Sequence, residues 1–261
     1  MTSATDDLEL ALSAAHQAGE VLQGFWLNRS SLTVSNKRAG DFVSEADLTA
    51  EAAIKNVLLT ARPGDGWLGE ESGPGHEASR RWVVDPLDGT TNFLRGIPHW
   101  AVSIALEVDG IPTVGVVHDP IKNDTFAGLS GHGATLNGEP LSGSATDTLA
   151  SALFGTGIPF GEMSSIDHHT ADLALLLPQC AGVRRMGSAA LDLAYTAAGR
   201  LDGFWERRLQ LWDIAAGLVL LREAGLRVEG WAPSERPEDT GTVMTAPPQL
   251  FEPLSQVLRR R

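Results

Sequence analysis

Two kinds of hydrophobic periodicity divide the first half of the chain. Apolar residues recur at helical spacing near the start, and this pattern predicts amphipathic helices over residues 8–27 and 47–59. Short apolar runs then alternate with turn residues such as Asp109-Gly110, which is typical of antiparallel strands. These runs fall at residues 100–108, 114–117, 126–127 and 134–136. We therefore expect helices packed against an antiparallel meander of strands.

Strands and helices alternate in the second half, which begins after a polar stretch over residues 142–148. The pattern predicts strands over 153–157, 183–185 and 201–205, and helices over 164–177, 188–198 and 212–224. Such alternation indicates a layered α/β arrangement. We expect an N-terminal α+β half, residues 1–145, and a C-terminal α/β half, residues 146–261, tightly joined into one globular unit.

Length and charge exclude several classes of protein. A chain of 261 residues can bury a substantial core, and its longest apolar run, residues 214–221, is too short to span a bilayer. The formal net charge of −13 argues against nucleic acid or an anionic membrane as a partner. Residues 1–10 are acidic, so no signal peptide is predicted. The single cysteine, Cys180, excludes an internal disulfide and fits a reducing compartment, so we expect a cytoplasmic protein.

Candidate chemistry is concentrated in residues 82–92, where an apolar run ends in Asp85 and a turn contains Asp88. Pro86 fixes one backbone angle and Gly89 frees another, so the turn can be rigid and sharp. Two carboxylates three residues apart are suited to chelate a hard cation, which prefers oxygen ligands. The N–H groups after Gly89 would point at a phosphate if a helix begins just after it. The alternative is a surface turn with two solvated aspartates.

Two further acidic elements, Gly69–Ser72 and Leu211–Gly217, lie at the edges of apolar segments. Together with residues 85–93, they resemble in order and spacing the three signatures of the inositol monophosphatase family. The resemblance covers nearly the whole chain, from near Leu8 to near Met244. It implies the layered α-β-α-β-α sandwich shared with fructose-1,6-bisphosphatase, with the site in the cleft between the halves. It also implies Mg²⁺-dependent hydrolysis of phosphate monoesters.

The resemblance implies a set of metal ligands. Glu70, Asp85 and the backbone carbonyl of Leu87 would hold one Mg²⁺ ion, and Asp85, Asp88 and Asp213 would hold a second. Glu70 would also face a third, weaker metal and the attacking water, so two to three ions are expected per site. An alternative for Asp213 is a helix N-terminal acid stabilised by the helix dipole. An acidic protein needs such cations locally if it is to bind an anionic ester.

The groups around the water and the phosphate are implied in the same way. Thr90 resembles the family threonine whose hydroxyl helps to orient the attacking water, Asp47 would hydrogen-bond to it, and Lys37 would lie nearby. The backbone amides of Gly89 and Thr90 would bind phosphate oxygens. Asp47 could instead be only a helix N-cap, and Lys37 a solvated loop residue.

The alcohol side of the substrate is attributed to Glu206, which matches the family position that contacts substrate hydroxyls, and to the turn at Gly187-Ser188-Ala189. The alternatives are an ion pair of Glu206 with Arg207 or Arg208, and a plain helix cap at Ser188. The basic residues after Glu206 depart from the usual family pattern. The substrate is also expected to border Leu87, Asp88 and Asp213.

These features predict a Mg²⁺-dependent phosphomonoesterase acting on myo-inositol monophosphate, a small phosphorylated polyol. The same chemistry on fructose bisphosphate, histidinol phosphate or 3′-phosphoadenosine 5′-phosphate is one alternative. A non-catalytic binding or regulatory member of the fold is another, from a different class. The five intact positions argue against it, because a degenerate binder need not keep Glu70, Asp85, Asp88, Thr90 and Asp213. Lithium sensitivity and a homodimer are implied by the family alone.

Overall fold

The computed structural model describes residues 3–29, 34–38, 41–158, 166–233 and 235–260, without the side chains of residues 34–38 and 41–43. Its helices are α1 (Ala4–Leu27), α2 (Glu45–Ala61), α3 (Thr90–Arg95), α4 (Ile166–Leu176), α5 (Ala189–Ala197), α6 (Leu211–Glu223), α7 (Pro237–Thr240) and α8 (Pro248–Leu258). None of these described helices has the length and apolar character needed to cross a membrane.

The strands within the described residues form one hairpin and two sheets. The hairpin pairs β1 (Val34–Arg38) with β2 (Asp41–Ser44). The larger sheet contains β3 (Gly66–Gly69), β4 (Gly73–Pro74), β5 (Arg80–Asp88), β6 (Ala101–Val108), β7 (Ile111–Asp119), β8 (Asp124–Leu129), β9 (Gly133–Leu136) and β10 (Glu139–Pro140), in the order β10-β9-β8-β7-β6-β5-β3-β4. The smaller sheet contains β11 (Leu153–Thr156), β12 (Gly182–Arg184), β13 (Gly203–Glu206), β14 (Arg227–Glu229) and β15 (Val243–Ala246), in the order β12-β11-β13-β15-β14.

Alternation along the strands separates the core into layers. On β5, Trp82 and Val84 pack with α1 and α2, whereas Val83 between them packs with α5 and α6 on the other face. Strand β13 divides in the same way, since Phe204 faces α5 and α6 and Trp205 faces α8. The layers therefore run from α1 and α2 through the larger sheet, α5 and α6, and the smaller sheet to α4 and α8. This arrangement confirms the predicted α-β-α-β-α sandwich.

Helix α6 lies in the middle layer, which explains why it is apolar on nearly all sides. Close approach on both sides depends on glycine. A Cβ on Gly115 of β7 would overlap the backbone carbonyl of Ala216, and a Cβ on Gly217 would lie 2.6 Å from the Cβ of Leu193 on α5. Because α6 packs on the larger sheet, a helix from the second half of the sequence contributes to the core of the first. The division at residue 145 stays a prediction.

The boundaries of several elements differ from the predicted ones. Helix α2 begins at Glu45 after the N-cap Ser44, earlier than the hydrophobic pattern indicated, because its first turn is polar. The pattern did not predict α8, whose interior Pro253 disguises an otherwise amphipathic helix. The predicted antiparallel meander, β6 to β9, is confirmed. The structure extends it with β5 and β10 at its two ends and with β3, which pairs parallel to β5. Residues 164 and 165 of the helix predicted over 164–177 lie outside the described residues.

The buried His118 gives the fold a pH-dependent term. Its Nδ1 lies 2.9 Å from the hydroxyl of Thr125, which also lies 3.2 Å from the Nε2 of His16 on α1. Burial and, less strongly, the charge on His16 lower the pKa of His118 to about 4, against an opposing effect of Asp119. Since the folded-state pKa is below the unfolded value, the unfolded chain takes up the proton first. Stability that is fully present above about pH 6.5 is therefore lost as the pH falls toward about 4.

We expect His118→Gln to flatten this dependence. Between pH 7 and pH 4, the free energy of unfolding of the original protein should fall by about 3 kcal/mol more than that of the variant. Urea unfolding at several pH values measures the difference. Parallel curves for the two proteins would show that His118 carries no proton-linked stability.

Candidate active site

The turn after Asp85 is shaped by the end of strand β5. The pairing of β5 with β6 is regular up to Asp85, which lies opposite Ser103, and is then irregular before Asp88. Gly89 has a φ of +98° and precedes α3 directly. A Cβ there would also lie 3.1 Å from the carbonyl oxygen of His99. Glycine is therefore needed at this position for both conformation and space.

Asp85 is the buried centre of the candidate site. It is 2% exposed, and its Oδ1 accepts a hydrogen bond from the N–H of Leu87 at 2.9 Å. Its pKa is raised well above the ordinary value, first by burial and then by the negative charges of Glu70, Asp88 and Asp213. The structure thus brings together the four carboxylates that the sequence predicted as metal ligands.

Glu70 reaches this group because β3 and β5 run parallel and end at the same edge. Gly69 pairs with Val84, and the N–H of Glu70 donates to the carbonyl of Val84 at 3.0 Å. Glu70 and Asp85 therefore follow neighbouring strand ends. The carboxyl ends of parallel strands meet at one side of a sheet, which is where binding sites of α/β proteins lie.

Asp88 connects this edge to the start of helix α5. Its Oδ2 accepts hydrogen bonds from the hydroxyl of Ser188 at 2.6 Å and from the N–H of Ala190 at 2.7 Å. Burial raises the pKa of Asp88 to about 6, and the bonds from Ser188, Ala190 and the backbone of Ala189 oppose the increase. Ser188 is also the N-cap of α5. Ser188 is therefore a helix cap, as the alternative predicted. The turn that contains it also contacts Asp88, a predicted metal ligand.

Asp213 is the third residue of α6, and it enters the site from the second half of the chain. Its Oδ2 accepts a hydrogen bond from the N–H of Gln210 at 2.7 Å, as a helix-capping acid does. Its pKa is raised well above the ordinary value by burial and by the charge of Asp88. Asp213 is therefore a helix N-terminal acid, as the alternative predicted, and it also lies close to the other carboxylates.

Thr90 and Asp47 are in contact, as the sequence predicted. The Thr90 hydroxyl lies 3.0 Å from Asp47 Oδ1 and 3.1 Å from the carbonyl of Leu87. The other oxygen of Asp47 accepts bonds from the N–H and the hydroxyl of Ser44. Ser44 is the N-cap of α2, so the reading of Asp47 as the N-cap is wrong. Lys37 belongs to β1, but its side chain lies outside the described part of the chain, and its role stays a prediction.

Glu206 ends β13 and is 7% exposed. Burial and, less strongly, the charge of Asp88 raise its pKa to about 8, against an opposing effect of Arg185. Gly157 makes room for it, because a Cβ there would overlap the carboxylate.

The predicted alternative, an ion pair of Glu206 with Arg207, is wrong. Arg207 forms its ion pair with Asp172 of α4 and stacks on Trp231, with its guanidinium carbon 3.4 Å from the ring centroid. The charge of Arg207 is therefore paired with a carboxylate of α4. The possibility of an ion pair between Glu206 and Arg208 stays open.

Sequence analysis missed two acidic residues beside the site. Glu51 of α2 accepts hydrogen bonds from the N–H groups of Glu71 and Ser72. Its spacing of four from Asp47, on the same helix face, was the available signal. Asp192 of α5 is 2% exposed, and its pKa is raised well above the ordinary value by burial and by the charges of Glu206 and Asp88.

The carboxylates of the site are the type of ligand that Mg²⁺ prefers, although they are not arranged as a metal site. Within the described ranges, no group of three or more His, Cys, Asp or Glu side chains is arranged to hold a metal ion as it stands. Asp88 and Asp213 each direct one oxygen to a backbone N–H, which leaves the other oxygen of each carboxylate for a metal. Asp85 and its neighbours are all oxygen donors, and their mutual repulsion, visible in the raised pKa of Asp85, is what a divalent cation relieves.

Comparison with known proteins gives concordant matches. The model of the inositol monophosphatase family matches residues 4–260. An inositol-1-monophosphatase of Rhizobium meliloti is 42% identical over 259 residues, which make up 97% of this chain and 96% of that protein. The Nus factor SuhB of Pseudomonas aeruginosa is 42% identical over 253 residues, which make up 95% of this chain and 93% of that protein.

Solved structures agree with these sequence matches. The extragenic suppressor protein suhB of Bartonella henselae superimposes with a TM-score of 0.93 at 40% identity and covers 99% of both chains. An inositol monophosphatase from Anabaena gives a TM-score of 0.88 at 36% identity, covering 98% of this chain and 96% of that chain. The layered architecture is therefore common to this chain and to both proteins.

Proposed function

Because the chain belongs to the inositol monophosphatase family, we propose that it is a Mg²⁺-dependent phosphomonoesterase that releases phosphate from myo-inositol monophosphate. The observation that carries the proposal is the convergence of Glu70, Asp88 and Asp213 on the buried Asp85. Glu70 follows the strand beside β5, and Asp213 follows Trp212, whose carbonyl accepts the hydroxyl of Ser103 opposite Asp85. A group of like charges in one cleft is destabilising by itself, and such perturbed groups cluster at functional sites. Hydrolysis that needs a divalent cation accounts for it.

The carboxylates would divide the metal ligation between the two halves of the chain. Glu70, Asp85 and the carbonyl of Leu87 would hold one ion, and Asp85, Asp88 and Asp213 another; a third would be held more weakly at Glu70. Bound Mg²⁺ lowers the pKa of a coordinated water and stabilises the leaving oxygen. Because Asp213 begins α6 while Asp85 ends a strand of the larger sheet, the packing of α6 on that sheet fixes the distance between the ligands.

Thr90 would orient the attacking water. Its hydroxyl proton can be donated to Asp47, at 3.0 Å, which leaves a lone pair on Oγ1 to accept a hydrogen bond from water. Two hydrogen bonds from Ser44 hold Asp47, so the acceptor of the Thr90 hydroxyl has a fixed position. The N–H groups of Gly89 and Thr90 would bind phosphate oxygens at the start of α3.

Phosphate release from metal-stripped protein tests the proposal. We expect turnover with added Mg²⁺ and none with excess EDTA, and the highest kcat/KM for inositol phosphate in a panel with fructose bisphosphate, histidinol phosphate and 3′-phosphoadenosine 5′-phosphate. A preference for another member of the panel would keep the phosphatase and replace the substrate. Absence of metal-dependent turnover on every member would remove the catalytic proposal.

Glu206 is proposed to recognise the polyol, with the turn at Ser188-Ala189 beside it. Divalent cations bound at Asp88 would favour the charged form of Glu206, and an ionised carboxylate accepts hydrogen bonds from two neighbouring hydroxyls. Each bond to a charged group contributes roughly 1.5–3 kcal/mol. We therefore expect Glu206→Ala to lower kcat/KM for inositol phosphate by about ten- to a hundredfold. Para-nitrophenyl phosphate has no vicinal hydroxyls and should lose much less. Equal losses on both substrates would show that Glu206 shapes the whole site.

Lithium should inhibit the enzyme if it belongs to the lithium-sensitive branch of the family. Li⁺ is small and hard but carries one charge where Mg²⁺ carries two, so it could fill a metal position without completing the chemistry. Phosphate release at saturating Mg²⁺ is compared in matched concentrations of LiCl and NaCl. Equal rates in the two salts would place the chain outside that branch.

A second candidate function comes from the relatives named Nus factor SuhB. The one from Pseudomonas aeruginosa is as similar to this chain as the inositol-1-monophosphatase of Rhizobium meliloti, at 42% identity each, so identity alone does not separate a phosphatase from a binding or regulatory member of the fold. The two roles are compatible within one protein. Metal-dependent turnover would separate a phosphatase from a purely regulatory member, which does not require it. The cytoplasmic location and the homodimer stay predictions.

A further inference from the structure

We propose that Glu51 is a positioning residue that fixes the loop carrying Glu70 and thereby sets the metal affinity of the site. The proposal rests on the phosphatase function proposed above. Glu51 lies on α2 and is only 5% exposed. Buried carboxylates are costly unless their oxygens are used, so the groups that use them indicate what the residue does.

Both oxygens of Glu51 bind backbone of the same loop. Oε2 accepts the N–H of Glu71 at 2.9 Å, and Oε1 accepts the N–H of Ser72 at 3.0 Å. Hydrogen bonds to a carboxylate are stronger than those to a neutral acceptor, and two in parallel also fix orientation. The two residues that follow Glu70 are therefore held by a side chain of another element.

The remaining residues of the loop are shaped around this contact. Gly69 leaves the space that the carboxylate occupies, because a Cβ there would lie 2.8 Å from the Glu51 Cδ. The indole N–H of Trp67 donates to the Ser72 hydroxyl at 2.9 Å. On the other side, the N–H of Glu70 is bound to β5. The backbone of Glu70 is thus fixed before and after its side chain, and each residue of the sequence Gly69–Ser72 has a physical role.

One face of α2 holds both segments that flank the proposed water. Asp47 and Glu51 are four residues apart and so lie on the same helix face. Asp47 bonds to the Thr90 hydroxyl, and Glu51 bonds to the loop of Glu70. Loss of the Glu51 contact should let Glu70 move while Thr90 stays in place. We expect weaker metal binding and a lower kcat, with little change in KM for the substrate.

Glu51→Gln tests this expectation with little change in volume. The amide keeps one acceptor and turns its NH₂ group toward the second backbone N–H, so one of the two bonds is lost. Mn²⁺ binding to the metal-stripped full chain is measured by calorimetry, and phosphate release is measured over a range of Mg²⁺. Mn²⁺ affinity and kcat are each expected to fall about tenfold, as for other groups that orient metal ligands, with KM within about threefold. Glu51→Asp, whose shorter side chain cannot reach both N–H groups, should change affinity in the same direction.

Glu223→Gln is the matched control. Glu223 also accepts two backbone N–H bonds, from Gly131 at 2.9 Å and from Gly133 at 2.8 Å, but at the end of α6 opposite to Asp213. It should lose some thermal stability while Mn²⁺ affinity stays unchanged. Original affinity in both Glu51 variants, or equal losses in Glu223→Gln, would overturn the proposal. Absence of phosphate release by the original protein would refute the phosphatase function, while the Mn²⁺ titration would still decide the role of Glu51.

Discussion

Asp85→Asn is expected to lower the rate of phosphate release at least about a thousandfold, since metal ions contribute several kcal/mol to the transition state and each ~1.4 kcal/mol is tenfold. The physical reason is the central position of Asp85. It lies among Glu70, Asp88 and Asp213, whose charges raise its pKa, so it is the carboxylate that would serve both ions. The amide loses the charge and one of the two acceptors, and neither ion would keep its full set of ligands.

The measurement is steady-state phosphate release at saturating Mg²⁺, accompanied by thermal unfolding in EDTA. The variant should unfold at the same temperature as the original protein or higher, because the substitution removes repulsion between buried charges. Asp119→Asn is the control. Asp119 is equally buried and accepts the N–H of the second residue after it, as Asp85 does, but it pairs with Lys122 and lies at the end of β7, two strands away from β5 in the sheet. Near-normal turnover in folded Asp85→Asn protein would remove the two-metal proposal.

Thr90→Val should lower kcat by about a hundred- to a thousandfold, within the range of positioned proton-transfer groups. Valine has nearly the same shape as threonine but cannot donate to Asp47 or accept from water. The buried Asp47 Oδ1 also loses its partner, although Ser44 still holds the other oxygen. KM should change little, because the backbone N–H groups proposed to bind phosphate remain.

Two further variants separate the role of the hydroxyl from that of the fold. Thr90→Ser retains the hydroxyl and should keep activity within about tenfold, or ~1.4 kcal/mol. Thr113→Val removes a similar side-chain bond, from the Thr113 hydroxyl to the carbonyl of Leu106 at 3.1 Å, on strands away from the proposed ligands, and should leave kcat unchanged. A Thr90→Val enzyme as active as Thr90→Ser would show that the hydroxyl does not orient the water.

Local features were predictable wherever the sequence carries a strong pattern. The meander of β6 to β9 follows from alternating apolar runs and turns, and the rigid turn after Asp85 follows from Pro86 and Gly89. The resemblance carried by residues 69–72, 85–93 and 211–217 identified the family and the order of its layers. Helix α8 was not predicted from the sequence, because its interior Pro253 is unfavourable in most helices.

The sequence alone determined which residue types are available to the site and on which elements they lie. Only the tertiary structure decided which of these residues are in contact. Ser188 donates a hydrogen bond to Asp88, which lies 100 residues away in the sequence. Arg207 forms an ion pair with Asp172, and Glu51 accepts hydrogen bonds from the loop of Glu70. Local spacing cannot specify such pairs, because they form only when α2, α5 and α6 are packed on the sheets. That packing depends on the summed burial of many apolar side chains and on glycines at points of close approach, as at Gly115 and Gly217.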